Sequence, residues 1–190
     1  MNPLDSDLWS RGLTWSQYRS RITKNTEVFD EVLAAPAYTD ADLDFLRRLP
    51  PQRVVAIGED WCPDVFHTLP TWVRLADELA GWELRIYPRD TYPELMNDFL
   101  YNGRAQRIPV YAFYDARGYL QTWWSGRSAA AQSAFDSWLG GRVYADLDPD
   151  RRAELGQRFA EGYRREFRRR NFEEMLTQLG AFFHVARGDA

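Results

Sequence analysis

The sequence predicts an α/β fold with a central mixed sheet, its core elements ordered βαβ, then α, then ββα. Three observations carry this. The apolar run Val54, Val55, Ile57 ends at Gly58, and a helical pattern opens soon after on Pro63, so a buried strand feeds a helix. A second strand pattern at residues 83–87 follows that helix, and the two strands pair in parallel through a right-handed crossover. Two more strand patterns, residues 109–114 and 119–124, flank Asp115-Ala116-Arg117-Gly118, which reads as a hairpin turn.

The elements follow in order. Residues up to about Gly12 read as loosely docked. Thr14 and Gln17 fit a capping box, and Trp15, Tyr18, Ile22, Phe29, Val32 and Leu33 have helical spacing, which predicts one helix over 15–33. Thr39 caps a shorter helix, 40–48, stopped by Pro50-Pro51. The helix from Cys62 to about Ala80 places Leu69, Trp72, Val73, Ala76 and Leu79 on one face. Pro70 inside it predicts a kink, and Gly81 a stop. Pro93 starts a helix ending near Asn102-Gly103. Residues 128–139 form another. After Gly140-Gly141 a long amphipathic pattern begins, capped by Asp148 or Asp150 and carrying Leu155, Phe159, Tyr163, Phe167, Met175, Leu176, Leu179 and Phe183, with a break expected near Arg170-Asn171. Its apolar face must pack on the core or on a partner, a homodimer through these helices included. The organisation is an N-terminal helical extension (1–51), a core (52–140) and a C-terminal helical extension (141–190), within one domain.

Composition narrows the class. The chain has 190 residues, 45% of them hydrophobic and 15% aromatic, with eight tryptophans, enough for one bulky core. A net charge of −4 gives no global attraction to nucleic acid or to anionic membranes. The first residues, Met1-Asn2-Pro3-Leu4-Asp5, carry no basic region and no long apolar run, so neither a signal peptide nor a membrane span is expected. The single cysteine, Cys62, excludes an internal disulfide and fits a reducing, cytoplasmic setting. Lys24 is the sole lysine among many arginines, as in a GC-rich bacterial genome. Two histidines and one cysteine offer no zinc spacing, so no metal is expected.

Cys62 stands where the strand hands over to the helix, at the positive end of a helix dipole. There a thiol can be lowered in pKa and become a nucleophile. Trp61-Cys62-Pro63-Asp64-Val65 resembles the Trp-Cys-x-x-Cys active site of the thioredoxin superfamily. The longer run Glu59 to Asp64, with Thr68-Leu69-Pro70, is similar to a bacterial thioredoxin-like family whose motif is Trp-Cys-x-Asp-Cys. Arg107-Ile108-Pro109-Val110 resembles the segment carrying that superfamily's cis-proline. The resemblance spans about residues 53–139. It implies a thioredoxin-like fold, thiol–disulfide chemistry at Cys62, and an Ile108–Pro109 segment beside the thiol that pairs with an extended substrate. Two departures stand against it. Val65 occupies the position of the second cysteine, and Ala56 that of the superfamily's buried acid.

The electrostatics of Cys62 pull both ways. The helix terminus favours thiolate by roughly 0.3–1 kcal/mol, ~2 if partly buried. A carboxylate at Asp64, ~6 Å away, opposes it by roughly 0.7 kcal/mol in water-like surroundings and about 3 kcal/mol at an effective dielectric near 20. The thiol's ionisation is therefore decided by the fold. Trp61 can offer a flat face to a substrate or pack inward. His67 is expected at the surface or half-buried, off the face of Cys62. The basic run Arg164-Arg165, Arg168-Arg169-Arg170 reads as a solvated helix face, diluted by glutamates. Of Trp123 and Trp124, one belongs in the core.

Two readings follow. The first is a single-cysteine thiol–disulfide oxidoreductase acting through Cys62. It has no resolving thiol of its own, so it would need an external one such as glutathione as co-substrate, and would act on a thiol- or disulfide-bearing protein or small thiol. The second is a redox-inactive binding or adaptor module using a groove of Trp61, Val65 and Pro109. A peroxide-reducing role ranks below both, since the threonine expected three residues before such a cysteine falls on Glu59.

Overall fold

The structure, a computed structural model, describes residues 4–187. Four strands form one sheet: β1 (Arg53–Gly58), β2 (Glu83–Pro88), β3 (Val110–Tyr114) and β4 (Leu120–Ser125). Their order is β2-β1-β3-β4. β1 and β2 are parallel, with Ala56 opposite Ile86; β1–β3 and β3–β4 are antiparallel. The β3–β4 hairpin closes on Asp115 to Gly118 as expected: Gly118 lies at φ 85° and its N–H donates to the Asp115 carbonyl.

The N-terminal region differs from the sequence expectation twice. Ser6–Arg11 is a helix (α1), capped by Asp5, and Leu4 and Trp9 are buried rather than loosely docked. Next to it, Leu13 exchanges both backbone hydrogen bonds with Ile86 on the outer edge of β2. The predicted helix 15–33 is two helices, α2 (Trp15–Arg19) and α3 (Thr26–Ala34). A distant carboxylate is the reason. Asp60 Oδ2 accepts from the N–H groups of Thr23 (2.8 Å) and Lys24 (3.1 Å), and the Asn25 side chain donates to the Asp60 carbonyl. Holding this clasp puts Asn25 in the left-handed region at φ 58°, which ends helical continuity.

Local signals read true elsewhere. The Thr14–Gln17 capping box forms, and Thr39 with Asp42 makes a second one at the start of α4 (Asp40–Arg47). α5 (Pro63–Glu78) has Pro63 in its first turn and runs on through Pro70. The helix that Pro93 starts ends earlier than expected: α6 is only Pro93–Asn97, and the Asn102-Gly103 signal marks a separate turn after it, both residues at positive φ. Ser128 caps α7 (Ala129–Leu139), and Asp148 caps α8 (Pro149–Gly162).

The C-terminal arm does not break at Arg170-Asn171. Its irregularity lies earlier, in a π-helical turn at Tyr163–Phe167, after which α9 (Arg168–Phe183) continues. Gly162 permits this turn, because a Cβ there would run into the Phe167 ring. The arm's apolar face is used within the chain. Phe172, Met175, Leu176 and Leu179 join the main core, where Trp72 of α5 packs on Phe113 (5.0 Å) and Phe172 (5.8 Å) and donates its indole N–H to Met175 Sδ. A smaller cluster of Ala131, Phe159, Tyr163 and Phe167 joins α7 and α8 to the π-helical turn. No helix among the described residues is long and apolar enough to cross a membrane.

One surface expectation is corrected in part. Arg164, Arg165 and Arg170 are exposed as expected, but Arg168 and Arg169 are not a solvated face: Arg168 bridges Glu31 and His67, and Arg169 binds Glu173 and the buried Asp42. Of the two neighbouring indoles one is core, as expected: strand alternation sends Trp124 inward, stacked on Tyr111, while Trp123 packs half-buried on Phe99 on the other face.

Candidate functional site

Cys62 is the N-cap of α5, and Pro63 as the first helical residue costs no hydrogen bond there. The backbone turns inward at this point: the Cys62 N–H donates to Glu59, and its carbonyl accepts from Val65 and Phe66. The thiol is only 7% exposed. Its S–H donates to the Ile108 carbonyl at 3.7 Å, and the following Ile108–Pro109 bond is cis. The two stretches singled out in the sequence, 61–65 and 107–110, thus meet at the sulfur. Burial pushes the Cys62 thiol up to about 12, and the Asp64 carboxylate adds to this. The N–H groups of Val65 and Asp64 and the Arg127 charge pull the other way without prevailing.

The remaining motif residues sort by exposure. Trp61 is 43% exposed, with the Arg89 guanidinium 5.2 Å from its ring. Val65 is 1% exposed; its branched side chain sits against Gly58, where a Cβ would come within 2.8 Å of Val65 Cγ2. Ile108 and Pro109 are buried as well. The expected groove of Trp61, Val65 and Pro109 is therefore not open: close packing over β1 leaves Trp61 alone at the surface. Ala56, at the position of the missing acid, is plain core. Glu59 and Asp60 point apart, Glu59 accepting from the Asp90 N–H and Asp60 from the 23–24 loop. Their carboxylates fasten loops.

The functional feature missing from the sequence reading is what holds Asp64. This residue is 2% exposed. Arg127 Nη2 donates to Oδ2 at 2.6 Å, and the Tyr163 hydroxyl donates to Oδ1. Asn171 Nδ2 donates to Tyr163 Oη (3.2 Å), and Asn171 Oδ1 accepts from the Ser128 N–H (2.8 Å). Burial pushes the Asp64 carboxyl up, opposed by Arg127 and Tyr163. Arg127 in turn lies over the rings of Phe135 (4.9 Å) and Phe159 (4.6 Å). The C-terminal arm and the β4–α7 junction thus grip the first turn of the thiol-bearing helix.

His67 belongs to the same grip and is buried, not at the surface. Its ring stacks on Tyr163 at 4.2 Å, and Nδ1 accepts from Arg168 Nε. Burial, with Arg168 and Arg164 nearby, lowers its pKa to about 3, so it is neutral at pH 7. Among the described residues no group of three or more His, Cys, Asp or Glu is placed to hold a metal ion.

Comparison with known proteins agrees with this geometry. No curated protein matches the chain. A crystal structure of a protein of unknown function from Pseudomonas aeruginosa is similar with a TM-score of 0.63 at 16% identity, over 95% of this chain and 99% of that one. An HIV epitope scaffold is similar with a TM-score of 0.60 at 14% identity, over 95% and 98%. Both show the fold alone. A family model described as thioredoxin matches residues 12–139. That span holds the whole sheet, the Cys62 turn and the Ile108–Pro109 bond, and the chain belongs to this thioredoxin family.

Proposed function

We propose that this chain is a binding member of the thioredoxin family, redox-inactive at neutral pH, in which Cys62 is kept as a protonated thiol. One observation carries the reading: the sulfur is buried and donates its proton to the Ile108 carbonyl. A thiolate in that place would face a carbonyl oxygen and a buried carboxylate at Asp64, with too little water to offset either. Two absences in the sequence agree with it, a resolving thiol at position 65 and an acid at position 56. A cytoplasmic setting in a bacterial cell accords with a chain that carries one cysteine.

The test is the rate of iodoacetamide labelling of native Cys62 against pH. The thiolate fraction at pH 7 should be lower by roughly three orders of magnitude than that of a free thiol of pKa ≈ 8.5. Labelling should therefore be very slow at pH 7 and still rising at pH ~10. An inflection well below pH ~8.5 would sink the reading.

A second reading is favoured by the place of Cys62 at the N-cap of α5, where the Asp64 and Val65 N–H groups stabilise a thiolate. There Cys62 would exchange with an external thiol such as glutathione. The thiolate attacks one sulfur of a disulfide, that S–S bond breaks, and the departing thiolate takes a proton. A second external thiol then releases the mixed disulfide. Incubation with oxidised glutathione at pH ~7.5, read by mass spectrometry, separates the two: the redox-inactive protein forms no adduct without denaturant, and the exchanging one does.

A further inference from the structure

We infer that the chain carries a small-molecule site for an oxyanion head, carboxylate or phosphate, between the β4–α7 junction and the loop before Pro109. A cavity of about 210 Å³ lies there, lined by Asp64, Arg107, Gly126, Arg127, Gln132 and Phe135 among others. It shares Arg107, Arg127 and Gln132 with a groove of about 570 Å³ that runs along Trp123 and Trp124. The two spaces are together the size of an ordinary ligand site.

Charge and donor supply identify the head group. Two guanidiniums face the smaller cavity against one carboxylate, that of Asp64. Both Asp64 oxygens are already used, by Tyr163 and Arg127. Arg107 has no hydrogen-bond or ion-pair partner among the described residues, though it is half-buried. It is nevertheless held in place. Its guanidinium lies 3.7 Å from the centre of the Tyr101 ring, and its stem passes over Gly126, where a Cβ would meet Arg107 Cδ at 3.4 Å. A stacked, half-desolvated guanidinium with free N–H groups is a fork matched to a planar or tetrahedral oxyanion. Most other polar groups of the groove are spent within the chain. Glu174 accepts from the Trp124 indole and the Ala129 N–H, Gln132 donates to Asp136, and Gln178 donates to Thr122 and Trp123. The groove itself carries the Asp136 and Glu174 carboxylates, so the anionic head belongs in the smaller cavity, where two guanidiniums outnumber one carboxylate, and the groove takes an uncharged, flat body.

This inference rests on the binding reading only for its biological use; the site itself does not require Cys62 to be inert. The test is titration of the intact chain with benzoate, phenyl phosphate and neutral benzamide, followed by tryptophan fluorescence and calorimetry. Benzoate or phenyl phosphate should bind about tenfold or more tightly than benzamide, as one charge-assisted hydrogen bond implies, and the tighter of the two names the head group. Arg107→Gln, which keeps most of the stem over Gly126, should remove that preference, and Arg107→Ala should do the same. Equal binding of benzamide, no binding of either anion, or an unchanged preference in both variants would overturn it. Because Cys62 takes no part in the readout, a failure here is distinct from a fast-labelling thiol, which would count against the binding reading alone.

Discussion

Arg127→Ala is expected to cost about 3–5 kcal/mol of folding stability at neutral pH, the penalty for leaving a buried charge without its partner. The charge is Asp64, two residues from the thiol and almost fully buried, which would keep only the Tyr163 hydroxyl. The pH dependence separates charge from packing. Without Arg127, the Asp64 carboxyl in the folded state lies further above its unfolded value, and a raised carboxyl costs stability once the unfolded chain has ionised. The deficit against the wild type should thus be largest at pH ~7.5 and narrow on acidification toward pH ~4. Urea unfolding at both pH values measures it. An equal deficit at the two would mean that Arg127 acts only through its stacking on Phe135 and Phe159.

Asp42→Asn should have the second-largest effect, about 2–3 kcal/mol, below a full buried-pair loss because Arg169 and Arg187 are partly in water. Asp42 is the inner half of the Thr39 capping box and also the anchor of the C-terminal arm. It accepts from the Thr39 N–H at 2.9 Å, from Arg169, and from Arg187 at 2.8 Å. Burial pushes this carboxyl up, but the Arg169 and Thr39 hydrogen bonds outweigh it and hold it below its ordinary value. A lowered carboxyl contributes stability above the unfolded value near pH ~4, and loses it as pH falls through the folded one. The wild type should therefore weaken on acidification below pH ~4, and the variant should lack that part of the slope. Denaturant midpoints from pH ~7 to ~2.5 test this; parallel curves for the two proteins would refute it.

What the sequence made legible was local. Val54 to Gly58 announced β1, the residues flanking Asp115 to Gly118 announced the hairpin, and Thr14, Thr39, Pro63 and Ser128 marked helix starts, because each signal lies within one turn of what it specifies. The meeting of Cys62 with Ile108 and Pro109 followed from the family resemblance; no spacing required it. Long-range polar partners were illegible. Asp60 divides the predicted helix 15–33 from more than thirty residues away. Asp64, legible only as a charge beside the thiol, meets partners 63 and 99 residues later in the chain. His67 read as surface or half-buried because nothing nearby in sequence could bury it fully; Tyr163 and Arg168 do so. Arg168 and Arg169 looked like part of a solvated face because Glu31 and Asp42 lie on other helices.

The π-helical turn at Tyr163–Phe167 has an angular consequence. Such a turn holds one residue more than an α-turn, so everything beyond it is advanced by about 100° around the helix axis. With that offset, Asn171 reaches Tyr163, Phe172 and Met175 meet Trp72, and Arg169 meets Asp42. Deleting one residue between Gly162 and Arg168 would leave the arm's composition and amphipathic pattern almost untouched. It would swing all four contacts out of phase together, and the Tyr163 hydroxyl that serves Asp64 would lose its Asn171 support through a change in screw angle rather than in chemistry.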